Sequence, residues 1–239
     1  MSTTLGLVSF NVRGIRDTVK RRAIFRHLHV KYPRHLAILQ ETHSSSDIEN
    51  RWKAEWGGKI YFAHGETNAR GVCVLIPKGF RGDVILIQSE LGGRLVIVRL
   101  EFSNVALNML GIYAPTQRSD TQQVQFYKEL NDCLSKLDDL PILICGDLYL
   151  HSSVADIDNS RYRDTPRCKI LREIMSEFDL VDVWRELNPH QRRFTWRRCH
   201  PFQQSRLDYF LISYDLMRSH KVVKTEIEPG IKSDHSVVV

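Results

Sequence analysis

Near the end of the chain, Ser233, Asp234 and His235 stand together inside the run Ile231 to Val239 (IKSDHSVVV), a carboxylate beside an imidazole. That pairing can hold a hard metal with one group and a phosphate oxygen with the other. Alone it describes many surface strands. Four further segments, Ser9 to Gly14 (SFNVRG), Ile38 to Thr42 (ILQET), Gly111 to Pro115 (GIYAP) and Ile142 to Tyr149 (ILICGDLY), put a polar residue at or just after the end of an apolar run, and Arg206 to Ser213 (RLDYFLIS) carries its acid at the start. Polar residues at strand ends can converge on one rim of a sheet while the apolar bodies pack below. Glu41 and Asp234 then supply oxygen ligands for Mg2+ or Mn2+, Asn11 a neutral carbonyl and Asp147 a base; no Cys or His pair has the spacing of a zinc site. Such a set supports attack of water on a phosphate ester.

The elements that must position these residues are legible as periodicity. Apolar runs at Gly6 to Phe10, Leu36 to Gln40, Val72 to Ile76, Leu95 to Leu100, Val105 to Ile112, Ile142 to Cys145, Leu207 to Ile212 and Ser236 to Val239 predict strands. Helical spacing falls at Ile24 and Leu28, at Val124, Tyr127, Leu130, Leu134 and Leu137, and at Ile170, Leu171, Ile174, Met175 and Phe178. Strands and helices mixed at irregular intervals favour mixed sheets over a regular βαβ repeat.

A net charge of +6 suits a polyanionic partner, and its placement says more than its total. Arg192, Arg193, Arg197 and Arg198 bracket Phe194, Thr195 and Trp196, and the polar connection Cys199 to Ser205, with Gln203 in it, leads into RLDYFLIS. This predicts a β-hairpin whose basic flanks reach phosphates and whose tip enters a groove, with Trp196 itself packed into the core. A second cluster, Arg13, Arg16, Lys20, Arg21 and Arg22, follows Asn11 and is placed to track a DNA backbone.

In this order the blocks SFNVRGIRDTVKR, LAILQETH, ARGVCVLI, LNMLGIYAPT, ILICGD, DLVDVWRELNPHQRRFTWRR, RLDYFLIS and SDHSVV, running from Val8 to Val238, resemble the endonuclease domain of non-LTR (LINE-type) retrotransposons. That group is a branch of the exonuclease, endonuclease and phosphatase superfamily related to apurinic/apyrimidinic endonucleases, and the WRELNP, FTW and RLDYFLIS blocks favour it over repair enzymes. The resemblance implies an α/β fold of two packed mixed β-sheets flanked by helices, a four-layer sandwich. It also implies roles. Glu41 and Asp234 match metal-site carboxylates and Asn11 the residue that supports them. Tyr113 matches a phosphate-facing tyrosine, His235 the histidine that donates to a phosphate oxygen, Asp208 the acid that orients it, and Asp147 the aspartate that activates water. One position departs from the pattern. Where the family places an asparagine that holds the attacking water and the scissile phosphate, this chain has Tyr149, with Leu148 where Phe is usual. A tyrosine lacks the carboxamide's paired acceptor and donor, and loss of one preorganised donor typically costs about 100 to 1,000-fold in rate.

The reading is of one endonuclease domain over residues 1–239, monomeric, cut from a longer polyprotein that carries a reverse transcriptase. It would nick one strand of double-stranded DNA, with Mg2+ or Mn2+, to leave a 3′-hydroxyl that primes reverse transcription. Two rivals remain open: a phosphatase of the same superfamily, which has no need of the arginine hairpin, and a DNA-binding module in which Tyr149 has ended catalysis. A hydrophobic content of 42% over 239 residues allows a substantial core, and no run approaches the roughly 20 apolar residues of a membrane span. Five cysteines without close pairs suit a reducing intracellular setting. The resemblance implies synthesis in the cytoplasm and action in the nucleus.

Overall fold

In a computed structural model, which describes residues 4–66, 68–116, 120–158, 162–219, 222 and 224–239, all eight apolar runs form strands. The first sheet is built on β1 (Gly6–Asn11) and β2 (His35–Gln40), which run parallel because α1 (Thr18–Lys31) crosses between them. Helix α2 (Glu49–Trp56) leads to β3 (Lys59–Ala63) and β4 (Val72–Ile76), and the chain end adds β13 (Ile227–Glu228) and β14 (Val237–Val238), giving the order β13-β14-β1-β2-β4-β3. The second sheet holds β5 (Asp83–Glu90), β6 (Leu95–Phe102), β7 (Val105–Tyr113), β8 (Ile142–Asp147), β9 (Leu180–Asp182) and β12 (Asp208–Ser213), in the order β5-β6-β7-β8-β12-β9. Helices α3 (Asp120–Leu134) and α4 (Pro166–Glu177) lie on its outer face, α5 (Val183–Leu187) and α6 (Tyr214–Ser219) cap its connections, and β10 (Trp196–Arg198) and β11 (Gln203–Ser205) form the separate basic hairpin.

Alternation along the strands sorts side chains between layers. Leu36 and Ile38 of β2 face the second sheet with Val72 and Val74, while Ala37 and Leu39 turn out to meet Ile24, Phe25 and Trp52 of the helices. On the far side, Leu110, Ile112 and Ile144 meet Phe126, Tyr127 and Leu171. At Gly111 the sheets approach closely enough that an added Cβ would come 2.7 Å from Ile38 Cγ2. The expected two-sheet, four-layer architecture is thus the one formed. The strand β5 escaped the sequence reading because Ile85, Leu86 and Ile87 are all exposed and a bulge there breaks its alternation.

Two arginines among the described residues are fully buried, and one of them, Arg21, corrects a reading of the sequence. Arg21, read as a backbone-tracking residue, is fully buried, bonded through Nε to Glu55 (2.7 Å) and to the carbonyls of Ile15 and Arg16, and set over the Trp52 ring. Arg206, also fully buried, bonds Asp156 (2.7 Å) and Asp182 and covers the Tyr209 ring, and so fixes the chain two residues before Asp208. Despite burial, the Arg206 and Arg185 guanidiniums hold the Asp156 carboxyl down at about 2. Its folded value lies below its unfolded one, so this pair's contribution is complete above the ordinary carboxylate value near 3.8 and is lost as pH falls toward about 2. Arg206→Met, which leaves two buried carboxylates short of a partner, should lower the urea unfolding free energy at pH 7 by about 3–5 kcal/mol, with a smaller deficit at pH 2.5. A loss under about 1 kcal/mol at pH 7 would contradict this.

Candidate active site

Three strands of the second sheet bring three site residues into one row. Tyr113 pairs with Asp147 across parallel β7 and β8, and Asp147 with Asp208 across antiparallel β8 and β12, so all three project from the same face. The first sheet meets them from the opposite side. Asn11 ends β1, Glu41 follows β2, and the turn of Ser233 to His235 precedes β14. Asn11 Nδ2 donates to Asp147 Oδ2 (3.0 Å), and its Oδ1 accepts from Arg13 N, so it is both a turn former and a bridge between sheets. Ser233 Oγ donates to the Asn11 carbonyl (2.8 Å) and accepts from His235 N (3.1 Å), fixing the imidazole over the second sheet.

His235 Nδ1 lies 2.9 Å from Asp208 Oδ2, and its Nε2 lies 3.9 Å from Asp147 Oδ2. Burial opposes a charged ring, but the Asp208 carboxylate overcomes it by charge and hydrogen bond, and Asp147 and Asp234 add to the pull, lifting His235 to about 9. Asp147 is also raised, by burial first and then by the nearby Asp208 charge, against relief from His235, Asn11 and the Tyr149 N–H. A buried carboxyl raised in this way is a stronger base when ionised. Glu41 is pushed up by burial, but hydrogen bonds from His43 and Asn11 and the charges of His43 and His235 leave it below the ordinary range.

Residues 8–235 match the sequence profile of the Endonuclease/Exonuclease/phosphatase family. The chain belongs to that family. Over 206 residues, 85% of its length, it is 32% identical to the Transposon TX1 uncharacterized 149 kDa protein of Xenopus laevis, of which it spans 15%. That relative agrees with the transposon likeness of the sequence blocks. The fold is shared with solved AP endonucleases: one from Archaeoglobus fulgidus has a TM-score of 0.77 at 18% identity and covers 98% of each chain. The Xenopus laevis APE2 catalytic domain has a TM-score of 0.75 at 19% identity and covers 97% of this chain and 90% of its own.

For a family of nucleases and phosphatases, the donor set fits a hard divalent cation. Asp234 gives Oδ2 to Arg13 Nη1 (3.0 Å) and Trp196 Nε1 (3.1 Å), while its Oδ1 is buried with no hydrogen-bond partner among the described residues. Glu41 carries the second carboxylate, 3.6 Å from His43 and hydrogen-bonded by His43 and Asn11. A tighter group, Asp147, Asp208 and His235, has ligand atoms within 4.8 Å of one another, yet it suits a cation less well. The Asp208 carboxylate already engages the imidazole Nδ1, and the Asp147 oxygens already accept from Asn11 Nδ2 and Tyr149 N.

The departure at Tyr149 has a backbone signature. Its φ is +47°, a left-handed conformation that asparagine tolerates and aromatic residues resist, and its half-buried ring packs toward the cluster beneath α3 and α4. The basic hairpin is real, with Arg197 opposite Gln204 and Arg198 opposite Gln203. Arg192, Arg193, Arg197 and Arg198 are all exposed, and Arg192 also donates to the Ile157 carbonyl and covers Phe194. Trp196 is half-buried at the site and not in the core; Phe194 is the packed residue. Sequence reasoning missed two members. Thr195 Oγ1 accepts from Leu207 N and Asp208 N, placing the acid, and its only signal was its seat between aromatics in FTW. Arg94 lies 5.3 Å from the Tyr113 ring centre, signalled by its place at the head of an apolar run after Gly92 and Gly93.

In metal-free protein, His235 should stay doubly protonated at pH 7.5 by nitrogen NMR, and Asp208→Asn should lower its pKa by about one to three units. A neutral His235 ring in the unsubstituted protein at that pH would contradict the charge balance described.

Proposed function

We propose that the chain is a divalent-metal-dependent DNA endonuclease domain that nicks one strand of double-stranded DNA and leaves a 3′-hydroxyl for a reverse transcriptase of the same polyprotein. The observation that carries this reading is the juxtaposition of the Asp147–His235–Asp208 group with an arginine hairpin whose first residue, Trp196, bonds the site carboxylate Asp234. A phosphatase of small molecules gains nothing from that hairpin. The transposon relative supports the polyprotein setting, and basic side chains on an exposed ribbon suit phosphate contacts.

Glu41 and Asp234 would hold Mg2+ or Mn2+, which when bound neutralises charge on the phosphate. Asp147, kept in place by Asn11, takes the proton of the attacking water. His235, held charged by Asp208, donates through Nε2 to a phosphate oxygen, and Tyr113, on the same face as Asp147, is placed to face the phosphate. Base choice is expected in the exposed tip between β10 and β11, since phosphate contacts position DNA without reading it.

Tyr149 stands where this chemistry calls for a water-holding amide, and so the domain turns over slowly. On supercoiled plasmid, chelation by EDTA should abolish nicking and Mg2+ or Mn2+ restore it; full activity in chelator would overturn the metal assignment. Tyr149→Asn should raise the nicking rate by roughly 100-fold with DNA affinity changed by less than about threefold, as befits a contact made in the transition state. Equal rates for the two proteins would contradict the role given to this position.

A further inference from the structure

We propose that Trp196 is a positioning residue through which DNA held by the arginine hairpin and a divalent cation held at Asp234 bind cooperatively. This rests on the functional reading above and goes beyond it, because it makes the two ligands depend on each other. The hairpin is fastened to the site turn through Thr195, Trp196 and Arg197. Arg197 N donates to the Asp234 carbonyl (3.1 Å), Ser236 N donates to the Thr195 carbonyl (2.6 Å), Trp196 bridges His235, and the Trp196 indole N–H donates to Asp234 Oδ2 (3.1 Å).

Only three residues make up β10, and alternation puts Arg198 and its partner Gln203 on the face that carries Trp196. Arg198 Nη2 donates to Gln203 Oε1 (2.6 Å), so an arginine drawn to a phosphate pulls on the strand whose first side chain grips the carboxylate. The second donor on Oδ2 is less constant: Arg13 is 63% exposed, and an ion pair in solvent holds a geometry weakly. Trp196 thereby sets the direction of Oδ1, the carboxylate oxygen left buried without a partner among the described residues. Ordering of the hairpin by DNA fixes Asp234 for the cation, and by reciprocity the cation steadies the hairpin for DNA.

The test is Mn2+ affinity, read from the free-ion electron paramagnetic resonance signal, with and without a saturating phosphorothioate duplex that resists cleavage. Duplex affinity is measured in parallel with and without Mn2+. In the unsubstituted protein, each ligand should tighten the other by the same factor, about fivefold or more. Trp196→Phe, which keeps the ring and removes the N–H, should still bind both ligands with the factor reduced below about twofold. Arg198→Gln, which leaves Trp196 in place, should keep the DNA-free Mn2+ affinity and lose most of the coupling. Retention of full coupling in either variant, or independent binding in the unsubstituted protein, would overturn the inference while leaving the endonuclease reading intact. If Glu41→Gln does not weaken Mn2+ binding without DNA, the cation assignment itself fails, and this inference with it.

Discussion

A charged imidazole wedged between two buried carboxylates is the interaction on which the site depends. Asp147 and Asp208 face each other across paired strands, and without His235 their repulsion would be relieved by taking up a proton. The ring comes from the opposite sheet, as does the Asn11 amide that steadies Asp147. The two sheets are therefore tied at this end by charged and polar contacts, whereas the core between them is mainly apolar. Such a seam commits the chain to one relative placement of the sheets, because a slip would leave buried charge unpaired.

The frame around this seam is stiff for reasons of its own. Arg206 locks the approach to β12 by binding Asp156 and Asp182, and Thr195 holds the first two amides that follow. The turn of Glu41 to His43 is pinned on both sides, by Gly14 N and Ile15 N on one and by the Arg70 and Gly71 carbonyls on the other. Glu41 and His43 both adopt positive φ there, strain that the surrounding bonds sustain. Rigid placement of carboxylates before substrate arrives is what electrostatic catalysis needs.

Much of this was legible in the chain. Apolar runs located the strands, and polar residues at their ends are forced together once parallel and antiparallel neighbours share an edge, as Tyr113, Asp147 and Asp208 do. What escaped was decided by partners distant in sequence. Arg21 reads as surface charge until Glu55 and Trp52 surround it, and Trp196 reads as core until Asp234 takes its N–H. Thr195 and Arg94 act through backbone amides and a ring face, which leave no spacing to detect.

In the function proposed, Glu41 and Asp234 hold the cation while Asp147 and His235 handle protons, and anomalous diffraction from crystals grown with Mn2+ distinguishes the two groups. A manganese peak is expected beside Asp234 Oδ1 and the Glu41 carboxylate, lost in Glu41→Gln. A peak held by Asp147, Asp208 and His235 instead would contradict that assignment.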